Sequence, residues 1–297
     1  MSVAIDEELV RRLLAEQFPD LAPLCVRQVV PGGWDNRTFR IGDDLLARLP
    51  SATRYAAQVE RERRWLPVLG AAGLPAPISR PIHAGAPGCG YPRPWSIYGW
   101  LPGLPLAEAN LGASEELAAQ LAVFLRALHQ VRPDEAAAAG PANFHRGGDL
   151  GVYDHQMRRA IAALPGSIRS RVARIWDAAM ESRWTGSPVW VHGDFAPRNL
   201  IVDPAGALAG VIDFGQIAIG DPACDLVIAW TYLTGPARRR FRERLDLDDG
   251  TWARAKGWAA WKAAILASGV AQGPRADVTS AEAVLAELLN EDGAGSS

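Results

Sequence analysis

Residues 187–230 constrain this 297-residue chain more than any other stretch. Three short apolar runs follow one another there, at 189–191, 200–202 and 208–212, each with the length of a buried strand. The second and third are separated by the turn Asp203-Pro204-Ala205-Gly206, so they are expected to pair as a hairpin. Polar residues bound these runs: His192-Gly193-Asp194 follows the first, Asn199 precedes the second, and Asp213 follows the third. The hairpin brings Asn199 and Asp213 to its open end, where they can share one cation.

Two carboxylates and an amide in this order are what phosphoryl transfer needs. A nucleoside triphosphate carries several negative charges, so Mg2+ held by hard oxygen ligands has to bridge its phosphates, and the Asn199 amide with the Asp213 carboxylate suits it. A second carboxylate, free of metal, must accept or orient the proton of the attacking hydroxyl; Asp194 fits that role. His192 is expected to hold the loop through hydrogen bonds, since nothing near it completes a nucleophilic triad.

His192-Gly193-Asp194, Asn199 and Asp213-Phe214-Gly215 resemble the catalytic loop and metal-binding motif shared by protein kinases and the aminoglycoside phosphotransferase family. The glycine at 193, where protein kinases carry arginine, and the continuation Gly220-Asp221-Pro222-Ala223-Cys224-Asp225-Leu226 are similar to the small-molecule branch. Singly, each motif reads as an ordinary turn; three in register at kinase-like spacing do not.

The resemblance runs over nearly the whole chain and implies an α+β, bilobed protein-kinase-like fold. It pairs an N-terminal lobe of antiparallel sheet plus helix with a larger, mostly helical C-terminal lobe. The expected division is a nucleotide-binding lobe at 1–98, a hinge at 99–103, and a catalytic and substrate-binding lobe at 104–297. The implied activity is Mg2+-dependent transfer of the γ-phosphoryl of ATP or GTP to a hydroxyl of a small molecule. Asp194 and His192 form the catalytic loop, and Asn199 and Asp213 hold the metal. An aminoglycoside is the first acceptor the resemblance implies, with antibiotic inactivation as the consequence; macrolides, choline, sugars and homoserine are the alternatives. A nucleotide-binding protein with little catalysis is the alternative of a different class, and the presence of Asp194, Asn199 and Asp213 together argues against it.

In the N-terminal part, 5–18 has helical spacing, and 26–30, 38–41 and 45–49 read as antiparallel strands. The loop Gly32-Gly33-Trp34-Asp35-Asn36-Arg37 stands where a kinase-like fold covers the phosphates, which makes Gly32, Gly33 and Asn36 expected nucleotide contacts; by itself it reads equally as a hairpin turn. Arg48 departs from the family pattern, which places lysine on this strand. Arginine keeps the charge and can grip phosphate in bidentate fashion. On the helix expected at 56–69, with Pro67 kinking its last turn, Glu62 is the implied partner of Arg48 and Glu60 the alternative. Residues 91–103 read as a strand leading to the hinge. Kinase-like folds turn that backbone toward the base, so Ser96, Tyr98 and Trp100 mark the expected base-binding segment.

The C-terminal part opens on a capped helix at 114–131, whose Leu125-Arg126-Ala127-Leu128-His129 resembles the LxxLH of the same family, with His129 in a structural role. Further helices are expected within 153–184, up to 233, at 236–244, at 251–268 and at 282–289. Asp221 reads as a helix cap; Asp225 reads either the same way or as a substrate contact. A polycationic acceptor needs an acidic pocket, for which Asp154 and Asp225 are the expected contacts. Glu243, Asp246, Asp248 and Asp249 interleave with arginines and read as a solvated face.

Composition bounds the partners. A net charge of -2 without a long basic run argues against nucleic acid, and 48% hydrophobic residues can bury a large core. No apolar stretch approaches the roughly 20 residues of a membrane span, and the N-terminus is acidic, so no membrane partner is expected. Three cysteines without paired spacing read as reduced thiols of a cytoplasmic protein, and five histidines show no metal-ligand spacing. Nothing in the pattern speaks to oligomeric state.

Overall fold

A computed structural model of the chain describes residues 4–30, 32, 35–133, 138–272 and 275–294. The N-terminal part holds helix α1 (Glu7–Gln17), strands β1 (Val26–Gln28), β2 (Asn36–Ile41) and β3 (Leu45–Pro50), helix α2 (Ala56–Ala71), and strands β4 (Pro81–Gly85) and β5 (Trp95–Gly99). The strands form one antiparallel sheet in the order β1-β2-β3-β5-β4, so β5 is inserted between β3 and β4.

α1 starts where it does because the Asp6 carboxylate accepts the Leu9 N–H at 2.9 Å, a cap with Glu7 and Glu8 following in the favourable first turn. Its buried Leu9, Val10, Leu13 and Leu14 cover one face of the sheet, against Phe39, Ile41, Leu49 and Ile97. α2 serves a different core. It runs through Pro67 to Ala71, two residues beyond the expected end, and stops before Gly73, which takes a left-handed φ of 70°. Its Trp65, Leu66 and Leu69 join the larger cluster of the C-terminal part, and the Trp65 ring meets Trp190 edge-on at 5.2 Å. Aromatic packing thus ties this helix directly to the strand that ends at His192.

The rest comprises β6 (Leu104–Pro105), α3 (Glu115–Gln130), α4 (Asp154–Ala163), α5 (Gly166–Glu181), β7 (Val189–Val191), β8 (Leu200–Val202), β9 (Leu208–Val211), β10 (Ala218–Gly220), α6 (Ile228–Thr231), α7 (Gly235–Leu245), α8 (Asp249–Ala267) and α9 (Arg275–Ala294). Ser114 caps α3 by accepting the Leu117 N–H at 3.1 Å. The expected hairpin forms, with Leu200 opposite Val211, and its turn is closed by Asp203 Oδ1, which accepts from Ala205 N at 2.8 Å and Ala207 N at 2.9 Å. α8 is buried on most of its surface, including Trp252, Trp258 and Trp261, and forms the spine of the helical part. The architecture is the α+β one expected: an antiparallel sheet with helices, followed by a mostly helical region.

Candidate active site

β7 pairs with β10 and ends at His192, which is fully buried. From there the backbone turns around one carboxylate: Asp225 Oδ2 accepts the His192 N–H at 2.6 Å and Oδ1 the Gly193 N–H at 2.8 Å. Gly193 has a φ of 84°, and a Cβ there would lie 2.4 Å from the Gln216 carbonyl oxygen, so no other residue fits. The His192 ring makes two contacts, Nε2 to the Ile212 carbonyl at 3.0 Å and Nδ1 to the Asp194 N–H at 3.2 Å, which together put its proton on Nε2. His192 therefore braces the loop and exposes no surface to a substrate. Asp225 is 0% exposed with both oxygens engaged by backbone, so the expectation that it contacts substrate is corrected: burial raises its carboxyl, and its role is to anchor the loop.

This bracing presents Asp194. Its side chain is 24% exposed, and Oδ2 accepts from Asn199 Nδ2 at 3.1 Å while its carbonyl accepts from the same nitrogen at 2.9 Å. Burial pushes its carboxyl up, but the charges of Lys262, Arg146 and Arg198 outweigh burial and hold it below the usual aspartate range. Asp194 is thus ionised near neutral pH. With its nitrogen committed to Asp194, Asn199 has its Oδ1 left as an acceptor.

Across the hairpin opening, Asp213 takes a left-handed φ of 64° directly after the last apolar residue, and its side chain is 39% exposed. Asp213 Oδ1 accepts from Arg48 at 2.5 Å, and the other terminal nitrogen of Arg48 donates to Glu62 Oε1 at 2.9 Å. Tyr98 donates its hydroxyl to Glu62 Oε2 at 2.5 Å. Glu62 is buried; desolvation raises its carboxyl, with Arg48 opposing. Burial would lower the Arg48 guanidinium, but Asp213 and Glu62 raise it well above its ordinary value. Glu60, the alternative partner, instead makes a surface pair with Arg63 at 2.9 Å.

The expected nucleotide contacts separate. Gly33 lies outside the described residues, Gly32 is exposed, and Asn36 is the buried first residue of β2, opposite Pro50, so it sits in the sheet and not in the loop. Asp35, beside it, accepts from Gln58 of α2 at 2.8 Å; burial raises its carboxyl, as do the charges of Asp213 and Asp194. The base-binding segment needs correction. β5 has partner strands along both edges, so the backbone of Ser96 and Tyr98 is spent in the sheet. The Ser96 hydroxyl accepts from Arg63 at 3.0 Å, the Tyr98 hydroxyl is on Glu62, and the Trp100 N–H donates to the Asp44 carbonyl at 2.7 Å. Beyond β5, the Trp100 N–H is engaged, and the backbone that can meet a base begins at the Trp100 carbonyl.

A groove of about 750 Å³ opens on Asp194, lined by Leu106, Leu111, Val227, Trp230 and Leu266 and by the charged Arg146, Arg198 and Lys262. Lys262 Nζ lies 3.5 Å from Asp194 Oδ1. Neither Lys262 nor Arg146 had any sequence signal: each sits on an element remote from the catalytic loop, and lysines and arginines are common on surfaces. Asp154, the other expected substrate contact, is corrected as well. It is not among the residues lining the groove, and it accepts from Trp176 Nε1 at 2.7 Å and from Arg158 at 3.1 Å. Asp221 does what was expected of it, accepting the Ala223 N–H at 3.1 Å, and also pairs with Arg254 at 2.7 Å.

Asn199 Oδ1 and the Asp213 carboxylate suit a hard divalent cation, and among the described residues no cluster of three or more histidine, cysteine or acidic side chains forms a full protein cage. Two protein oxygens with the remaining positions left to phosphate and water are the donor set that Mg2+ prefers.

The sequence profile of the phosphotransferase enzyme family matches residues 26–261. The uncharacterized protein YcbJ of Bacillus subtilis (strain 168) is 29% identical over 75 residues, and the match spans 24% of that relative's length and 25% of this chain. The GDP complex of wild-type aminoglycoside 2'-phosphotransferase-IIIa superposes with a TM-score of 0.75 at 20% identity, covering 97% of this chain and 99% of that one. The apoenzyme of macrolide 2'-phosphotransferase MphH from Brachybacterium faecium superposes with a TM-score of 0.64 at 21% identity, covering 94% and 98%. At these identities the structural likeness establishes a shared fold.

Proposed function

The chain belongs to the phosphotransferase enzyme family, and on that premise we propose that it transfers the γ-phosphoryl group of ATP or GTP to a hydroxyl of a small molecule, with Mg2+ as cofactor. The observation that carries this reading is the convergence of Asp194, Asn199 and Asp213 around one hairpin, with Arg48 of β3 and Glu62 of α2 closing it. In this reading the acceptor hydroxyl approaches Asp194 from the groove. Asp194, ionised and half-shielded, accepts its hydrogen bond, aligns the oxygen for in-line attack, and takes the proton as the new bond forms. Asn199 keeps that carboxylate oriented, and Asp225 with His192 fixes the loop that presents it.

Arg48, freed in part from Asp213, grips a phosphate oxygen while Glu62 holds its other terminus. Asn199 and Asp213 would hold Mg2+, which would neutralise part of the phosphate charge when bound. Residues 35–50 and the stretch beyond Trp100 enclose the nucleotide. The three free cysteines fit a cytoplasmic enzyme, and among the described residues no helix is long and apolar enough to cross a membrane. Membership of a family with aminoglycoside- and macrolide-acting folds around it makes both acceptors candidates. A polycationic aminoglycoside needs carboxylates near the base, and the groove offers cations there instead, so the reading stops at a small-molecule hydroxyl.

The test is Mg2+-dependent release of ADP or GDP by the purified protein against aminoglycosides, macrolides and small metabolic alcohols. Acceptor-stimulated release that vanishes in Asp194→Asn is expected. Tight nucleotide binding with no stimulation by any acceptor would favour a nucleotide-binding protein without catalysis.

A further inference from the structure

Arg146 is 8% exposed, yet among the described residues no carboxylate lies within ion-pair distance of its guanidinium, and its Nε has no hydrogen-bond partner. It is held by aromatic rings instead, 4.8 Å from the Trp258 centroid and 5.3 Å from Trp261, both on α8. A buried cation without a counter-charge is costly unless something supplies the charge. The neighbouring carboxylates are already engaged or too few. Asp225 is taken by two backbone N–H groups, Asp221 by Arg254, and Glu287, the second carboxylate of the groove, by Arg238. Asp194 alone faces Arg146, Arg198 and Lys262, and Lys262 is 49% exposed on the same groove.

The groove reaches Asp194, but Arg48, Glu62 and Asp213 do not line it. Its cations therefore stand on the acceptor side of Asp194 and not among the groups that meet the nucleotide. The remaining wall is apolar, from Leu106, Leu111, Val227 and Leu266. Resting on the phosphotransferase reading above, we infer that the acceptor is an amphipathic alcohol bearing an anionic group, a carboxylate or a phosphate, close to the reacting hydroxyl. Arg146 and Lys262 bind that anion, and the apolar wall takes the remainder of the molecule. The arrangement disfavours a polycation, which would meet three like charges around the one free carboxylate.

Three matched probes test this: β-hydroxydecanoate, the amino alcohol in which an aminomethyl group replaces its carboxylate, and the corresponding diol. Binding is read by calorimetry on the full chain saturated with Mg2+ and ADP, so it does not depend on turnover. The hydroxy acid is expected to bind about tenfold or more tightly than the amino alcohol, with the diol between them. Lys262→Glu should erase or invert that order, Arg146→Met should weaken the acid alone, and both variants should hold ADP within about twofold of the parent. A phosphate monoester of the diol distinguishes the two anions: tighter binding than the hydroxy acid assigns a phosphate. Equal binding of acid and amino alcohol, binding of none of the probes, or a loss of ADP affinity in Lys262→Glu overturns the inference. Failure of phosphoryl transfer with the preference for the acid intact would instead count against the catalytic reading.

Discussion

Arg48 donates to Asp213 over 2.5 Å although 165 positions separate them in the chain. The same guanidinium holds Glu62 of α2 at 2.9 Å, so one side chain on a central strand joins the helix above it to the loop that follows the hairpin. A lysine would have to reach both carboxylates from one compact ammonium, without the planar fork that lets Arg48 give each its own nitrogen.

Removing that link should be costly. Arg48→Met strands Glu62 as a buried carboxylate whose remaining partner is Tyr98, and a loss of about 3 kcal/mol of stability is expected in urea denaturation. Arg48→Lys should lose less stability and should bind nucleotide more weakly than the parent. An unchanged denaturation midpoint in Arg48→Met would contradict the bridging role.

Asp194→Asn keeps the shape and the hydrogen bond from Asn199 while removing the proton acceptor. Steady-state kinetics with any working acceptor should show kcat reduced by about a hundredfold or more, with nucleotide Kd nearly unchanged.

Asp213→Ala should weaken Mg2+–ADP by about tenfold while leaving metal-free ADP close to its parental affinity. The comparison is made by titrating nucleotide with and without EDTA. An equal loss in both titrations would transfer the effect from the metal to the Arg48 contact.

Asp221 and Arg254 form a buried pair at 2.7 Å, with Asp221 also capping the segment that leads to Asp225. Asp221→Ala leaves the guanidinium without its carboxylate, and a loss of roughly 3 to 5 kcal/mol is expected. Thermal denaturation reads it directly, and retention of the parental Tm would count against the pair.

His129 supplies a pH signature. Burial lowers its pKa to about 4, and its Nε2 has no partner. Because the unfolded chain takes up this proton at higher pH than the folded one, stability is intact above about pH 6.5 and falls as pH drops toward 4, by at most about 3 kcal/mol from this group. Urea denaturation at several pH values should show a shallower acid loss in His129→Gln than in the parent.

Local chemistry was readable without the fold. The start of α3 at Ser114, the hairpin around Asp203 and the order of Asp194, Asn199 and Asp213 each depend on a few adjacent residues, whose hydrogen bonds and apolar spacing act over one turn. The partner of Arg48 was reachable as Glu62 through the family resemblance, with Glu60 as the alternative until the fold placed Glu60 on Arg63.

Tertiary structure decided what depends on strand order and on charges meeting from distant elements. Ser96 and Tyr98 lost their backbone to a strand inserted between two neighbours, an arrangement that no property of 91–103 announces. Asp225 read either as a helix cap or as a substrate contact, and only the fold put its two oxygens on the His192 and Gly193 N–H groups in a dry interior. The cationic surroundings of Asp194 come from Arg146, ahead of α4, and Lys262, on α8. Coulomb interactions follow distance in space, and residues far apart in a chain acquire that distance only when it folds.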